Sequence, residues 1–180
     1  MRKFVEYLTT LNSATLDVIS LLAKQFVGSV LAQDGEKGAD DDRGFGQVYK
    51  WRNFHRGFEE AKETGKPVFL VIHRTWCPAC RRLKEKFSKS MQLIDLSNRF
   101  VMINVASETD PFVAGDKNFE PDGRYVPRIL FYTPQGELIG RAYNRHAKDP
   151  RFRYFYSSPN EIVESMRYVL EDYPTSNDDI

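Results

Sequence analysis

The stretch Val68-Phe69-Leu70-Val71-Ile72-His73-Arg74-Thr75-Trp76-Cys77-Pro78-Ala79-Cys80-Arg81-Arg82-Leu83-Lys84-Glu85-Lys86-Phe87 changes character halfway along. Pro67 to Ile72 runs apolar without alternation, as a central strand covered on both faces does. Arg81 to Phe87 is a basic helical pattern, and Cys77-Pro78-Ala79-Cys80 lies at the seam. A helix that starts there carries both sulfurs at spacing i, i+3 on one face and points its unpaired backbone N–H groups at the first sulfur. A thiolate is the species that attacks a disulfide, and roughly half a positive charge at the helix start favours that anion. Cys77 is therefore the expected nucleophile, and Cys80, one turn further in, the thiol that resolves the mixed disulfide. Arg81, Arg82 and Lys84 add positive charge nearby, a secondary effect for screened side chains.

The same C-x-x-C spacing serves as half of a zinc site. Tetrahedral zinc needs four ligands, however, and the chain has two cysteines and three scattered histidines, His55, His73 and His146, so no metal is expected. A purely structural disulfide is also a poor reading, because closing a two-residue loop removes little chain entropy. With 180 residues, 41% hydrophobic, the chain has material for one core and too little length for two ordinary domains. A formal net charge of +1 gives no nucleic-acid surface. Two cysteines do not build a disulfide scaffold, which leaves them free for chemistry.

Residues 1–32 run from Met1-Arg2-Lys3 through a moderately apolar stretch to Val30 and Ala32, and read as a signal peptide or signal-like segment cleaved after Ala32. Glu6, Asp17 and Lys24 interrupt it, and the apolar part falls short of the roughly 18 residues of a membrane span. An amphipathic helix is the other reading. Residues 33–47, rich in glycine and charge, are expected to be a flexible linker. The folded domain is expected over 48–173, with a tail at 174–180.

Within the domain, Asn53 caps a short helix that Gly65 stops, with Phe54, Phe58 and Ala61 on one face. Val68 to Ile72 and Phe100 to Val105 are strands, with a second helical segment near Met91 to Ser97. Ile129 to Tyr132 is a third strand, turned by Pro134-Gln135-Gly136 into a hairpin partner over Glu137 to Ala142. Ser158, Pro159 and Glu161 open a last helix whose stripe is Ile162, Val163, Met166, Val169 and Leu170. Helix, strand, cysteine helix, strand, hairpin, helix is the thioredoxin order. The expected fold is therefore α/β and thioredoxin-like, a central mixed sheet flanked by helices.

Further motifs carry a narrower resemblance. Gly44-Phe45-Gly46 with Trp51, Ile72 to Cys80, Phe100 to Asn104, Pro121 to Phe131 and Tyr154-Phe155-Tyr156 together resemble the small thioredoxin-like oxidoreductases of the endoplasmic reticulum related to the anterior gradient proteins. The resemblance covers about residues 44 to 172. It implies Cys77 as nucleophile, Cys80 as resolving thiol, a cis Pro127 facing them, and Trp76 and Val126 as substrate-binding neighbours. It also implies disulfide exchange with protein thiols or glutathione, no cofactor, and a monomer in the endoplasmic reticulum lumen or secreted. The anterior gradient branch lacks the second cysteine, which is present here. Pro78 stands where the family has glycine, and the sequence ends Asn177-Asp178-Asp179-Ile180 where members carry a Lys-Asp-Glu-Leu type signal.

Thioredoxins place a buried acid six residues before the first cysteine; here that position is Val71, and no acid lies between Pro67 and Cys80. His73 is either a proton partner for Cys80 or hydrogen-bonded structure. The long connection Ala106 to Tyr125, with Glu108, Asp110, Asp116, Glu120 and Asp122, reads as a solvated loop or the edge of a client groove. Phe152, Tyr154 and Tyr156 alternate as in a half-buried strand. The expected function is thiol-disulfide oxidoreduction through the dithiol. A client-binding module that does not need Cys80 and a cytosolic reductant that keeps residues 1–32 are the alternatives.

Overall fold

The computed structural model describes residues 42–173. The signal-like segment 1–32, linker residues 33–41 and the tail 174–180 lie outside the described residues.

Four strands form one mixed sheet in the order β1-β3-β2-β4. They are β1 (Trp51–Arg52), β2 (Val68–His73), β3 (Val101–Ala106) and β4 (Arg128–Tyr132). β3 runs parallel to both β1 and β2, while β4 is antiparallel to β2 and places Leu70 between Ile103 and Leu130. The helices are α1 (Phe54–Thr64), α2 (Pro78–Phe87), α3 (Met91–Ser97) and α4 (Pro159–Leu170).

All six residues of β2 are buried because both faces of the sheet are covered. Phe69 and Val71 join one apolar cluster with Leu83 of α2, Leu93 of α3 and the stripe of α4. Val68, Leu70 and Ile72 join the other, with Ala61 of α1 and Val113. A fully buried side chain of this size contributes roughly 1.5–3 kcal/mol, so the central strand anchors the fold. α1 can lie close to the sheet because Gly57 faces Ile103: a Cβ there would overlap Ile103 Cγ1 and Cδ1. Asn53 Oδ1 accepts from Arg56 N at one end of α1, and Gly65 ends it at φ 69°. α4 opens with the Glu161 carboxylate accepting from the backbone N–H groups of Ser157 and Ser158.

Three expectations need correction. The packed domain begins before residue 48: Phe45 is fully buried, edge-on to Phe87, and Asn104 Nδ2 donates to Asp42 O over 2.8 Å. Composition misled here, because one aromatic in a glycine-rich, charged stretch gains enough from tertiary burial to order its neighbours. The turn that delivers it uses Gly44 and Gly46 at φ 85° and 108°.

The hairpin partner of β4 is reduced to a single bridge between Tyr132 and Leu138. After Ile139 N reaches Phe131 O, a turn closed by Ala142 N on Ile139 O takes the chain away from the sheet. Finally, 152–156 is not a strand. Tyr154 packs in the cluster with α1 and Tyr156 in the cluster with α4, and Phe152 is exposed. Their alternation reflects a segment passing the sheet edge, where Ile129 N donates to Tyr154 O.

Candidate redox site

β2 delivers the chain to the end of the sheet at His73, and a short turn carries it into α2. The turn is closed by Cys77 N donating to Arg74 O at 3.3 Å and tied down by Thr75 N donating to Glu108 Oε1 at 2.7 Å. Pro78 occupies the first helical position, where a missing N–H costs nothing, so Cys77 becomes the N-cap. Its Sγ accepts from Cys80 N at 3.3 Å, the contact a thiolate at a helix start would strengthen. Both thiols are free, Cys77 7% exposed and Cys80 wholly enclosed.

The enclosed sulfur is also hard to ionise. Burial, the hydrogen bond with Cys77 and the neighbouring Cys77 charge push the Cys80 thiol up to about 12, against the opposing pull of the Arg74 backbone and Lys84. Of the three cations following the motif, Arg81 and Arg82 are exposed, whereas Lys84 turns inward with Nζ 5.2 Å from the Phe45 ring centre. Burial lowers the Lys84 ammonium, opposed first by the Cys80 charge.

Val71 lies in the core, and beneath the motif stands a polar pair, His73 and Asn104. His73 Nε2 lies 2.8 Å from Asn104 Oδ1; because Asn104 Nδ2 donates to Asp42 O, that oxygen is the acceptor and Nε2 carries the proton. Burial first, then Lys84, lowers His73 to about 4, which keeps it neutral. His73 is thus a hydrogen-bonded element of the interior, and its Nδ1 is enclosed without a partner among the described residues.

The facing wall comes from 107–128. The Val126–Pro127 bond is cis, as the resemblance implied, and Val126 O lies 3.8 Å from Cys77 Sγ. Trp76 is 63% exposed beside the sulfur, under the Arg74 guanidinium at 5.3 Å. Cys77, Cys80, Val126, Pro127 and Trp76 therefore share one end of the sheet. Glu108, read in the sequence only as a carboxylate of the connection, is tied to this end through Thr75, and Asn104 and Arg128 lie there without having been named as site residues. An arginine opening an otherwise apolar strand was the available signal for the last. Several carboxylates of the connection are engaged: Glu120 with Arg124, and Asp122 with Tyr125 and Arg153. Among the described residues no cluster of three or more His, Cys, Asp or Glu side chains is arranged to hold a metal ion, and no helix is long and apolar enough to cross a membrane.

A mixed sheet presenting a capped C-x-x-C opposite a cis proline defines a thioredoxin-like protein, and a family model described as thioredoxin-like matches residues 50–134. A thioredoxin from Thermus thermophilus shares the fold at a TM-score of 0.53 and 20% identity, over 68% of this chain and 88% of that one. Anterior gradient protein 3 of Mus musculus is 35% identical over 71% of this chain and 75% of its own length. The Xenopus tropicalis protein of the same name is 36% identical over 71% and 76%. The chain belongs to the anterior gradient family of thioredoxin-like proteins.

Proposed function

We propose that this protein exchanges disulfides with protein thiols, Cys77 attacking and Cys80 resolving. The observation that carries the reading is the asymmetry of the pair: a slightly exposed sulfur at a helix cap, and three residues on an enclosed thiol whose ionisation is suppressed. In the reducing direction Cys77 thiolate attacks a client disulfide, an S–S bond forms between Cys77 and one client sulfur, and the other client sulfur leaves as a thiolate and takes a proton. Cys80, deprotonated as the mixed disulfide forms, attacks Cys77 Sγ. The Cys77–Cys80 disulfide then forms and the second client thiol departs. Two electrons have passed to the client. Two glutathione molecules restore the dithiol and leave as glutathione disulfide; with the opposite poise every step reverses.

Val126, Pro127 and Trp76 border the client sulfur in this scheme, and no cofactor is involved. Within the family the paired cysteines liken the chain to thioredoxin domain-containing protein 12, and the glutathione-linked reductase type is the form of activity proposed. We place the protein in the endoplasmic reticulum lumen or secreted, as a monomer, with residues 1–32 removed. N-terminal sequencing from native cells then finds a start near Gln33, whereas an intact Met1 on cytosolic material favours a cytosolic reductant. The exposed Trp76 favours a second reading, client binding without exchange.

Reduction of insulin with glutathione as electron donor separates the two. Exchange requires that Cys77→Ser lose turnover and that Cys80→Ser accumulate mixed disulfides. Equal client capture by both variants, with no turnover by the wild type, supports binding alone.

A further inference from the structure

A cavity of about 140 Å³ opens beside the redox site, between the turn after β2 and the 107–128 wall. Val126 forms part of its lining, and the carbonyl of this residue lies 3.8 Å from Cys77 Sγ. The other walls are unusually cationic for so small a space: Arg74, Arg124 and Arg128 against one carboxylate, Glu120. Glu120 is already held by Arg124 Nε at 2.8 Å.

Arg128 is the telling member. It is 3% exposed, donates Nη1 to Gly123 O at 2.8 Å and lies against the Tyr125 ring, yet its Nε is enclosed with no partner among the described residues. A buried guanidinium calls for a neighbouring anion, and this wall offers one carboxylate, already paired, to three arginines. Guanidinium forks match carboxylates in shape and charge. The cavity has the volume of a few waters at about 30 Å³ each, enough for a carboxyl-bearing side chain or chain end and too little for a whole peptide. A residue of extended peptide spans about 3.5 Å, so a substrate whose sulfur is at Cys77 reaches the cavity from an adjacent residue.

We propose that the cavity walled by Arg74, Arg124 and Arg128 is a carboxylate subsite, which makes the protein prefer substrates bearing a carboxylate next to the exchanging sulfur. The inference rests on the exchange reading and adds a substrate class to it. Such a carboxylate comes from an acidic residue of a client or from glutathione itself.

Two matched substrate pairs test it. One is a disulfide peptide with Glu, or Gln, beside its cysteine; the other is glutathione disulfide and its carboxyl-esterified form. In the wild type the acidic member of a pair is expected to have kcat/KM about tenfold higher, through KM, as one added charge-assisted contact allows. A preference confined to the peptides assigns the subsite to clients, and one confined to the glutathione pair assigns it to glutathione. In Arg124→Gln, at a side chain 72% exposed, and in Arg128→Lys, the ratio is expected to fall toward one. Ratios near one in the wild type for both pairs overturn the subsite and leave exchange standing. If no substrate turns over, exchange itself fails. Fluorescence polarisation of a labelled peptide with serine for cysteine, Glu against Gln, then judges the cavity alone: tighter binding of the Glu form that Arg124→Gln abolishes upholds it, and equal binding removes it.

Discussion

The two walls of the redox site are built in opposite ways. The α2 wall is local in sequence: a strand, a three-residue turn, a capping cysteine and its partner three residues on, supported from beneath by Phe45, Leu83 and Phe87. The 107–128 wall is held by polar and charged ties, one across the site from Glu108 to Thr75 and two within the wall, Arg124 to Glu120 and Arg128 to Gly123. One wall gains its precision from apolar packing and supplies the sulfurs. The other gains it from charge and supplies the surface a substrate meets. Damage to the first should therefore appear as lost stability, and damage to the second as altered substrate preference.

The largest expected effect tests that division. Phe45→Ala removes a fully buried ring that touches Trp51, His73 and Phe87, and should lower the unfolding free energy by about 3–5 kcal/mol in urea denaturation. Arg124→Gln, mostly exposed, should change it by less than about 0.5 kcal/mol. Equal losses would erase the contrast between the walls.

Next in size is the acid sensitivity of the α2 wall. His73 has a folded value near 4 against an ordinary 6.5, so between these pH values the unfolded chain holds the extra proton. Its contribution is complete above about pH 6.5 and is lost as pH falls toward 4, amounting to about 2–3 kcal/mol between pH 7.5 and 4.5. Urea midpoints at those two pH values should show this loss in the wild type, and a smaller one in His73→Asn, which has no imidazole to charge. Identical pH dependence in the two proteins would assign the acid sensitivity elsewhere.

What the sequence made legible follows the same division. The apolar run of β2, the caps Asn53 and Gly65, the Cys77 helix and the stripe of α4 are local patterns whose period and punctuation determine their structure. Phe45 was misread because its burial depends on Phe87, 42 positions away, and nothing in residues 42–47 reports that contact. β1, two residues long, was missed because it exists only as an edge pairing with β3. The carboxylates of the connection looked solvated in the sequence, since their partners Thr75, Tyr125 and Arg153 are known only from the fold. For the candidate site, the thiols and the cis proline were legible. The arginine cavity was not, because Arg74, Arg124 and Arg128 converge only in three dimensions.

The smallest expected effect lies within the α2 wall. Pro78 fixes φ for the first helical turn but supplies no N–H, and Cys80 N already reaches Cys77 Sγ past it. Loosening the turn in Pro78→Gly should outweigh the added donor, make the disulfide modestly easier to form, and shift its potential downward by less than about 30 mV. An upward shift beyond about 30 mV would show that the donor dominates.

Whether Cys77 and Cys80 act together as a reversible dithiol is decided by equilibrating the protein across glutathione ratios and quantifying free thiols by alkylation and mass. One two-electron transition between Cys77–Cys80 disulfide and dithiol is expected, with a midpoint between about −270 and −120 mV, the span of C-x-x-C oxidoreductases. A disulfide that persists below about −300 mV would mark a structural staple, and separate glutathione adducts on the two cysteines would mark independent thiols; either result would contradict it.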